Sequence, residues 1–167
     1  MSIQVKVISR EISEYLWRAG KTVSTAESCT AGLVSAAIAA LPGASTYFKG
    51  GVVTYTNELK TQLLGVTEEL LAEKGAVSED CARAMVAGAI ERLATDYAVA
   101  VTGYAGPGGG PEAPVGTIFV AVGSVSEIVV RELTGDDGRE GNVARASLTA
   151  LQMLLEKLKN DFPQPEE

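Results

Sequence analysis

The sequence predicts an α/β fold, a three-layer α/β/α domain built on a mixed, mostly parallel β-sheet. Segments with helical spacing alternate with short buried-strand patterns along the chain, which is typical of parallel sheets. Near the end of the chain two strand patterns are joined by a tight turn, which predicts an antiparallel hairpin. The length of 167 residues fits one domain, with residues 161–167 as a polar tail expected to fray.

Apolar spacing and capping residues place the elements in chain order. Helices are expected where apolar residues recur every three or four positions, between a capping polar residue and a terminating glycine. The predicted helices cover residues 8–19, 31–41, a short stretch carrying Lys60, 67–75, 78–93 and 141–159. The predicted strands cover residues 22–26, 47–56, 97–102, 116–122 and 127–133.

Some of these predictions depend on particular local signals. Ser28 or Thr30 can cap the second helix, and Asn57 can cap the short helix that carries Lys60. Residues 97–102 are almost entirely apolar, which indicates a central strand that is buried on both faces of the sheet.

Charge and composition argue against several classes of function. The chain has 14 Lys and Arg residues against 21 Asp and Glu residues, and the basic ones are scattered, so we expect no nucleic-acid binding. No apolar run approaches the ~18 residues needed to span a bilayer, and no signal-peptide pattern is present. Two cysteines do not make a disulfide framework, so we expect a cytoplasmic protein without membrane partners.

The sequence contains no histidine. A Ser-His-Asp triad, a Cys-His dyad and a histidine-ligated zinc site are therefore impossible within one chain. Acid–base chemistry near neutral pH must use a carboxylate, a tyrosine, a cysteine or a lysine whose pKa is shifted.

The segment Thr-Ala-Glu-Ser-Cys-Thr, residues 25–30, joins a predicted strand to a predicted helix. Helix N-termini offer free N–H groups, so a nucleophilic Ser28 there would have an oxyanion site beside it. The alternative is that Ser28 and Thr30 only cap the helix. Cys29 is a second possible nucleophile because a helix N-terminus lowers a thiol pKa, although no histidine can activate it.

Lys60 follows the second predicted strand. A lysine is a base to a serine only when it is deprotonated, so its pKa must fall from ~10.4 to about 7–8. Burial or a neighbouring cation could lower the pKa, and the Tyr55 hydroxyl could orient the amine. The alternative is that Lys60 is an ordinary solvated lysine on a helix.

Two later segments could bind a ligand. Residues 103–111 contain five glycines and allow close backbone approach, but they match neither a P-loop nor a dinucleotide fingerprint. A passive connection is the alternative for that loop. Asn142 and Arg145 share a helix face, and Arg145 could hold a phosphate in a forked contact, unless it is simply an exposed surface arginine.

Taken together, five co-linear segments resemble the CinA C-terminal domain family, which includes nicotinamide-nucleotide amidohydrolases. The segments are residues 25–32, 51–60, 75–78, 101–107 and 114–117, and the segment 138–146 also looks like the family. Their order and spacing cover nearly the whole chain. Two positions depart from the family pattern: Ala31 stands where glycine is usual, and Tyr104 where a small aliphatic residue is usual.

The resemblance implies hydrolysis of nicotinamide mononucleotide to nicotinate mononucleotide and ammonia, with no metal or other cofactor. It implies Ser28 as nucleophile and Lys60 as base, and we expect Tyr55 to support the pair. Contacts to the pyridine nucleotide are expected from Thr25, Glu27, Cys29, Thr30, Asn57, Thr102, Gly103, Gly106, Asn142 and Arg145. A homo-oligomer, with a dimer favoured, is also implied. The alternative is a non-catalytic nucleotide-binding or competence-associated interaction module.

Overall fold

The structure, a computed structural model, describes residues 1–164; the last three residues of the expected tail lie outside this range. Within these residues the strands are β1 (Val23–Glu27), β2 (Phe48–Val53), β3 (Tyr97–Gly103), β4 (Ile118–Gly123) and β5 (Ile128–Leu133). The α-helices are α1 (Ile3–Ala19), α2 (Leu33–Ile38), α3 (Asn57–Leu64), α4 (Glu68–Lys74), α5 (Glu79–Leu93) and α6 (Gly138–Asp161).

The strands form one mixed sheet in the order β2-β1-β3-β4-β5. β1 pairs in parallel with β2 and β3, and β4 pairs antiparallel with β3 and β5. Four of the five strands therefore run in one direction, although parallel and antiparallel pairings are equal in number. The predicted α/β class, mixed sheet and closing hairpin are confirmed.

Helices cover both faces of the sheet, which gives the predicted three layers. On one face α1, α2 and α6 pack against alternate strand residues such as Val99 and Val101. On the other face α5 packs, together with apolar side chains of α3 and α4, against the intervening residues such as Ala98 and Ala100. Since side chains alternate between the faces of a strand, each face of β3 has its own core.

Close packing of α3 against α5 fixes the helix that carries Lys60. A Cβ atom at Gly88 of α5 would lie 1.9 Å from the carbonyl oxygen of Leu64 at the end of α3. Any larger residue at this position would push the two helices apart, so Gly88 sets their separation and with it the position of Lys60 over the sheet.

The start of α2 differs from the prediction. Neither Ser28 nor Thr30 caps this helix, and its N-cap residue, Gly32, adopts a left-handed conformation and has no side chain of its own to cap it. The carboxylate of Glu27 takes the capping role, because it accepts the backbone N–H groups of Gly32, Val34 and Ser35 at the helix start. The helix is also shorter than the predicted 31–41 span at both ends, because residues 31 and 32 belong to a turn and the helix ends at Ile38.

Further helix boundaries differ from prediction. Helix α1 begins at Ile3, five residues before the predicted start, and α6 begins at Gly138, three residues before its predicted start. Thr56, not Asn57, caps α3: its hydroxyl accepts the N–H of Leu59, and Asn57 is the first helical residue. Helix α6 extends to Asp161, which therefore belongs to the helix and not to the expected tail. No helix within residues 1–164 has both the length and the apolar character needed to cross a bilayer.

Candidate active site

The carboxyl ends of β1, β2 and β3 meet at one edge of the sheet, where ligands usually bind in open α/β folds. The Ser28 N–H donates to the carbonyl of Val101 at 2.9 Å, and the Thr54 N–H donates to the carbonyl of Glu27 at 2.8 Å. The hydrogen-bond ladder therefore continues one residue past β1 and β2. Together with the strand register, it places Ser28 between Thr54 and Thr102.

Ser28 and Lys60 are in direct contact. The Lys60 Nζ lies 3.0 Å from the Ser28 Oγ and donates to the carbonyl oxygen of Thr54 at 2.8 Å. Both side chains are buried, with 8% of Ser28 and 2% of Lys60 exposed. The contact expected from two positions 32 residues apart in the chain is present, and Lys60 is not a solvated lysine.

Burial lowers the pKa of Lys60 below its ordinary value, and the nearby thiols of Cys81 and Cys29 act in the opposite direction. Burial also raises the pKa of each of these thiols to about 11, so both are uncharged at neutral pH. Within residues 1–164, Lys60 forms no ion pair. The amine consequently lacks a counter-ion that would hold it in the charged form.

Glu27 shapes the turn that presents Ser28. Its fully buried carboxylate accepts five hydrogen bonds, from Thr30, Gly32, Val34 and twice from Ser35. This arrangement holds the turn and the start of α2 together. Ala31 lies inside that turn with φ 48°, a left-handed conformation that costs a non-glycine residue roughly 1–2 kcal/mol. The departure from the family's glycine therefore places an energetically costly backbone conformation in the turn.

A pocket of about 270 Å³ opens beside Ser28. Its lining consists of Ser28, Cys29, Tyr55, Arg139 and the loop 103–109. The Tyr104 ring lies against Gly110, where a Cβ atom would come within 2.2 Å of the tyrosine hydroxyl oxygen. The pocket therefore accommodates the second departure from the family pattern by packing the ring against a glycine. No cluster of three or more Cys, Asp and Glu side chains suited to a metal ion occurs within residues 1–164.

Arg139 is a pocket residue that the sequence reasoning missed. It lies in the first turn of α6 and donates to the carbonyl of Gly106 at 2.5 Å and to the hydroxyl of Tyr55 at 2.7 Å. Its side chain thus joins the loop after β3 to the segment after β2. The available signal was its position at a helix start directly after Gly138, in a segment that resembles the family.

Tyr55 does not orient the Lys60 amine as expected. Its side chain is half exposed, and its hydroxyl accepts from Arg139. The amine donates to the backbone carbonyl of Thr54 and not to Tyr55. The Tyr55 hydroxyl is instead drawn to Arg139, and the backbone carbonyl of Thr54 already lies within hydrogen-bond distance of the amine.

Arg145 and Asn142 support the fold beside the pocket and do not line it. Arg145 donates to the carbonyl of Gly135 at 2.7 Å and pairs with Asp137 at 3.3 Å, so its guanidinium is already engaged. Asn142 is fully buried and donates to the carbonyl of Ala105 at 3.0 Å. The expectation that these two side chains contact the nucleotide is therefore not supported; they fix the loop and the start of α6.

The remaining expected ligand contacts divide into two groups. Cys29, Gly103 and Gly106 line the pocket, whereas Thr25, Glu27, Thr30, Asn57 and Thr102 do not. Most residues of the second group are buried polar residues that form hydrogen bonds within the fold. The Thr25 hydroxyl, for example, lies 2.6 Å from the Ser35 hydroxyl, and the Thr102 hydroxyl donates to the carbonyl of Ala76 at 2.8 Å. Asn57 is exposed on α3.

Comparison with known proteins gives one consistent family. The model of the CinA C-terminal domain matches residues 5–158. A CinA-like protein from Mycolicibacterium gilvum is 48% identical over 83% of this chain, and one from Gloeobacter violaceus is 45% identical over 87% of it. The chain spans only about a third of the length of these curated relatives, 33% and 35% respectively.

Solved structures of similar length match almost completely. The competence/damage inducible protein CihA from Agrobacterium tumefaciens is 41% identical with a TM-score of 0.88, covering 93% of this chain and 98% of its own. A CinA superfamily protein from Klebsiella pneumoniae is 34% identical with a TM-score of 0.89 and the same coverage of both chains, 93% and 98%. Fold, motif order and sequence identity agree, and the chain belongs to the CinA C-terminal domain family.

Proposed function

We propose that this chain is an amidohydrolase that cleaves the carboxamide of nicotinamide mononucleotide to nicotinate mononucleotide and ammonia. The observation that carries the proposal is the buried contact of 3.0 Å between the Lys60 amine and the Ser28 hydroxyl. A lysine that is buried without a counter-ion has a lowered pKa and can act as a general base. The substrate class comes from the family resemblance.

The reaction proceeds through an acyl-enzyme in two halves. The free amine of Lys60 accepts the Ser28 proton while Oγ attacks the carboxamide carbon. The Lys60 ammonium then protonates the departing nitrogen, the C–N bond breaks, ammonia leaves, and an ester to Ser28 remains. In the second half Lys60 takes a proton from water, the hydroxide attacks the ester, and the proton returns to Ser28 as nicotinate mononucleotide leaves.

The turn after Ser28 can stabilise the oxyanion of each tetrahedral intermediate. The backbone N–H groups of Cys29 and Thr30 donate to no backbone carbonyl within residues 1–164. Both groups belong to the turn that Glu27 holds, so their position is fixed before a substrate arrives. Such preorganised donors are typically among the larger contributions to catalysis of acyl transfer.

Arg139 is the residue we assign to the substrate phosphate. Its guanidinium lines the pocket that contains Ser28, and a guanidinium can bind a phosphate through two parallel N–H groups. Its contacts with Tyr55 and Gly106 orient it across the pocket. This assignment replaces the earlier expectation for Arg145.

Ammonia release from nicotinamide mononucleotide tests the proposal directly. Wild-type protein should release ammonia, Ser28→Ala should not, and Cys29→Ala should remain active because burial raises the thiol pKa to about 11 and disfavours a thiolate. The reverse result for the two variants would identify Cys29 as the nucleophile. Calorimetric binding of the nucleotide without ammonia release would favour the non-catalytic binding module.

A further inference from the structure

The hydroxyl of Thr54 is an unexplained polar group next to the proposed catalytic pair. Thr54 is fully buried, and its Oγ1 has no hydrogen-bond partner within residues 1–164. Both backbone groups of Thr54 are used, since its N–H donates to Glu27 and its carbonyl oxygen accepts from Lys60. Buried hydroxyls almost always have a partner, so one that lacks it calls for a specific explanation.

Strand geometry puts this hydroxyl on the same side of the sheet as Lys60. Val52, two residues before Thr54, packs into the core beneath α5. Side chains two residues apart along a strand share a face, so the Thr54 side chain lies on the side from which Lys60 reaches Ser28. The hydroxyl oxygen is four covalent bonds from the carbonyl oxygen that Lys60 contacts, which keeps the two oxygens within roughly 5 Å.

The number of N–H donors on Lys60 changes during the proposed reaction. A neutral amine has two N–H groups and a lone pair, whereas the ammonium has three N–H groups and no acceptor. The structure gives Lys60 Nζ two protein partners, the Ser28 Oγ and the Thr54 carbonyl oxygen. One N–H of the ammonium therefore needs an acceptor that the described hydrogen bonds do not provide.

We propose that the Thr54 hydroxyl is the third hydrogen-bond acceptor of the Lys60 ammonium, reached by rotation about the Thr54 Cα–Cβ bond. The Ser28 proton moves to Nζ, and the new ammonium is held by Ser28 and by both oxygens of Thr54. Thr54 is thus a positioning residue that acts through Lys60. Its catalytic consequence rests on the proposed function, but its effect on the Lys60 pKa does not.

The surroundings of Lys60 allow this effect to be measured. Cys81 faces the amine from α5 and Cys29 faces it from the turn after β1, and burial raises the pKa of both thiols to about 11. The charges of Arg139 and Glu27 also act on the pKa of Cys29, the former lowering it and the latter raising it. A titration of Lys60 below the thiol pKa values therefore has no other titrating group in direct contact with the amine.

The experiment compares Thr54→Val, which keeps the side-chain shape without the acceptor, with Thr54→Ser, which keeps the acceptor. Ser9→Ala is the matched control. Ser9 of α1 is also buried and its hydroxyl has no partner among residues 1–164, but α1 does not contribute to the pocket. The Lys60 pKa is read by NMR from ¹³Cε-labelled lysine, with the resonance assigned by its loss in Lys60→Met. We expect Thr54→Val to lower this pKa by about one unit or more, and the other two variants to leave it unchanged.

Turnover and unfolding complete the test. Thr54→Val should unfold at the wild-type temperature or above it, while kcat falls by about tenfold or more, KM is unchanged, and the acid limb of kcat/KM shifts to lower pH. An unchanged Lys60 pKa in folded Thr54→Val overturns the proposal, whatever the rate. Should Thr54→Val not fold, the same pKa shift is required of Thr54→Ala. Wild-type protein that releases no ammonia refutes the proposed function and leaves the pKa comparison decisive for Thr54.

Discussion

Two lysines of this chain are almost equally inaccessible to solvent, and their pKa values are shifted in opposite directions. Only 2% of Lys60 and 6% of Lys157 are exposed. Lys157 of α6 donates to Glu127 at 2.8 Å and to Asp161 at 2.8 Å; burial alone would lower its pKa, but these carboxylates outweigh burial and raise it. Lys60 has no carboxylate partner within residues 1–164, so burial lowers its pKa. A lysine shielded from solvent thus has a lowered pKa where no carboxylate faces it and a raised pKa where carboxylates do.

The two environments have different origins in the chain. Lys157 and Asp161 are four residues apart on one helix, a spacing at which side chains meet. Tyr97 donates to the same Asp161 at 2.6 Å and fixes the carboxylate. The partners of Lys60 come from the ends of β1 and β2, and they are uncharged oxygens. Lys157 is thus part of the framework, whereas Lys60 has the uncharged surroundings that the proposed proton transfer requires.

The largest expected difference between the lysines is in turnover. Lys60→Met should reduce ammonia release from nicotinamide mononucleotide by on the order of 10²–10⁴-fold or more, because the general base is lost. Lys157→Met, the matched substitution in the framework, should leave the rate near that of wild type. A Lys60→Met protein that retains its fold and its turnover would contradict the proposed mechanism.

The two arginines near the start of α6 form a parallel pair. Arg139 lines the pocket, whereas Arg145 is engaged with backbone carbonyls and Asp137. Arg139→Met should lower kcat/KM for nicotinamide mononucleotide by about 10–100-fold, the worth of a charge-assisted hydrogen bond. The measurement is the ratio of kcat/KM for the nucleotide to that for nicotinamide riboside, which lacks the phosphate.

Arg139→Lys provides the control, since it keeps the charge without the forked geometry, and it should recover only part of that ratio. Arg145→Met should leave the ratio at its wild-type value and lower stability. An equal loss of kcat/KM for both substrates in Arg139→Met would mean that Arg139 supports the pocket but does not bind the phosphate.

The sequence predicted those parts of the site that follow from topology. Ser28 and Lys60 each follow a parallel strand, and such ends meet at one edge of a sheet, so their encounter could be anticipated from the order of elements. Alternating helix and strand patterns gave the layers in the same way. The hairpin of β4 and β5 followed from the short connection between them.

The parts that could not be predicted depend on which side chain reaches which atom. Glu27 is a polar residue in a strand, and only the folded turn shows that its carboxylate caps α2. Arg139 and Arg145 are indistinguishable by residue type, and the pocket is lined by the former because the loop after β3 passes over the first turn of α6. Thr54 carries no sequence signal, because the role proposed for it depends on a hydroxyl that has no hydrogen-bond partner within residues 1–164.

The lysines should also differ in their contribution to stability at neutral pH. Lys157→Met leaves Asp161 without its cation and should lower the free energy of unfolding by about 1–2 kcal/mol, a modest value because Glu127 is largely exposed. Lys60→Met removes a buried amine without a counter-ion and should leave the protein as stable as wild type or more so. Urea unfolding of both variants at pH 7 measures the difference. Destabilisation of Lys60→Met that equals that of Lys157→Met would imply that Lys60 is held by an interaction of similar strength.

The smallest and most specific expected effect is the pH dependence of the stability difference between wild type and each of the two lysine variants. The pKa of Lys60 in the folded protein is below the ordinary lysine value of 10.5, so the unfolded chain binds more protons in the interval between the two values. Wild type therefore gains stability relative to Lys60→Met as the pH rises through that interval. The pKa of Lys157 is raised above 10.5 in the folded protein, so its stabilisation is complete below this value and is lost as the pH rises through the folded pKa.

Urea unfolding of wild type and both variants from about pH 7 to 11.5 should therefore give difference curves with slopes of opposite sign. Groups that titrate equally in all three proteins cancel in these differences, so the sign depends only on the environment of each lysine. Slopes of the same sign would show that Lys60 has a charged partner in the folded protein. A counter-ion would keep the amine protonated, and Lys60 could then not act as the base to Ser28.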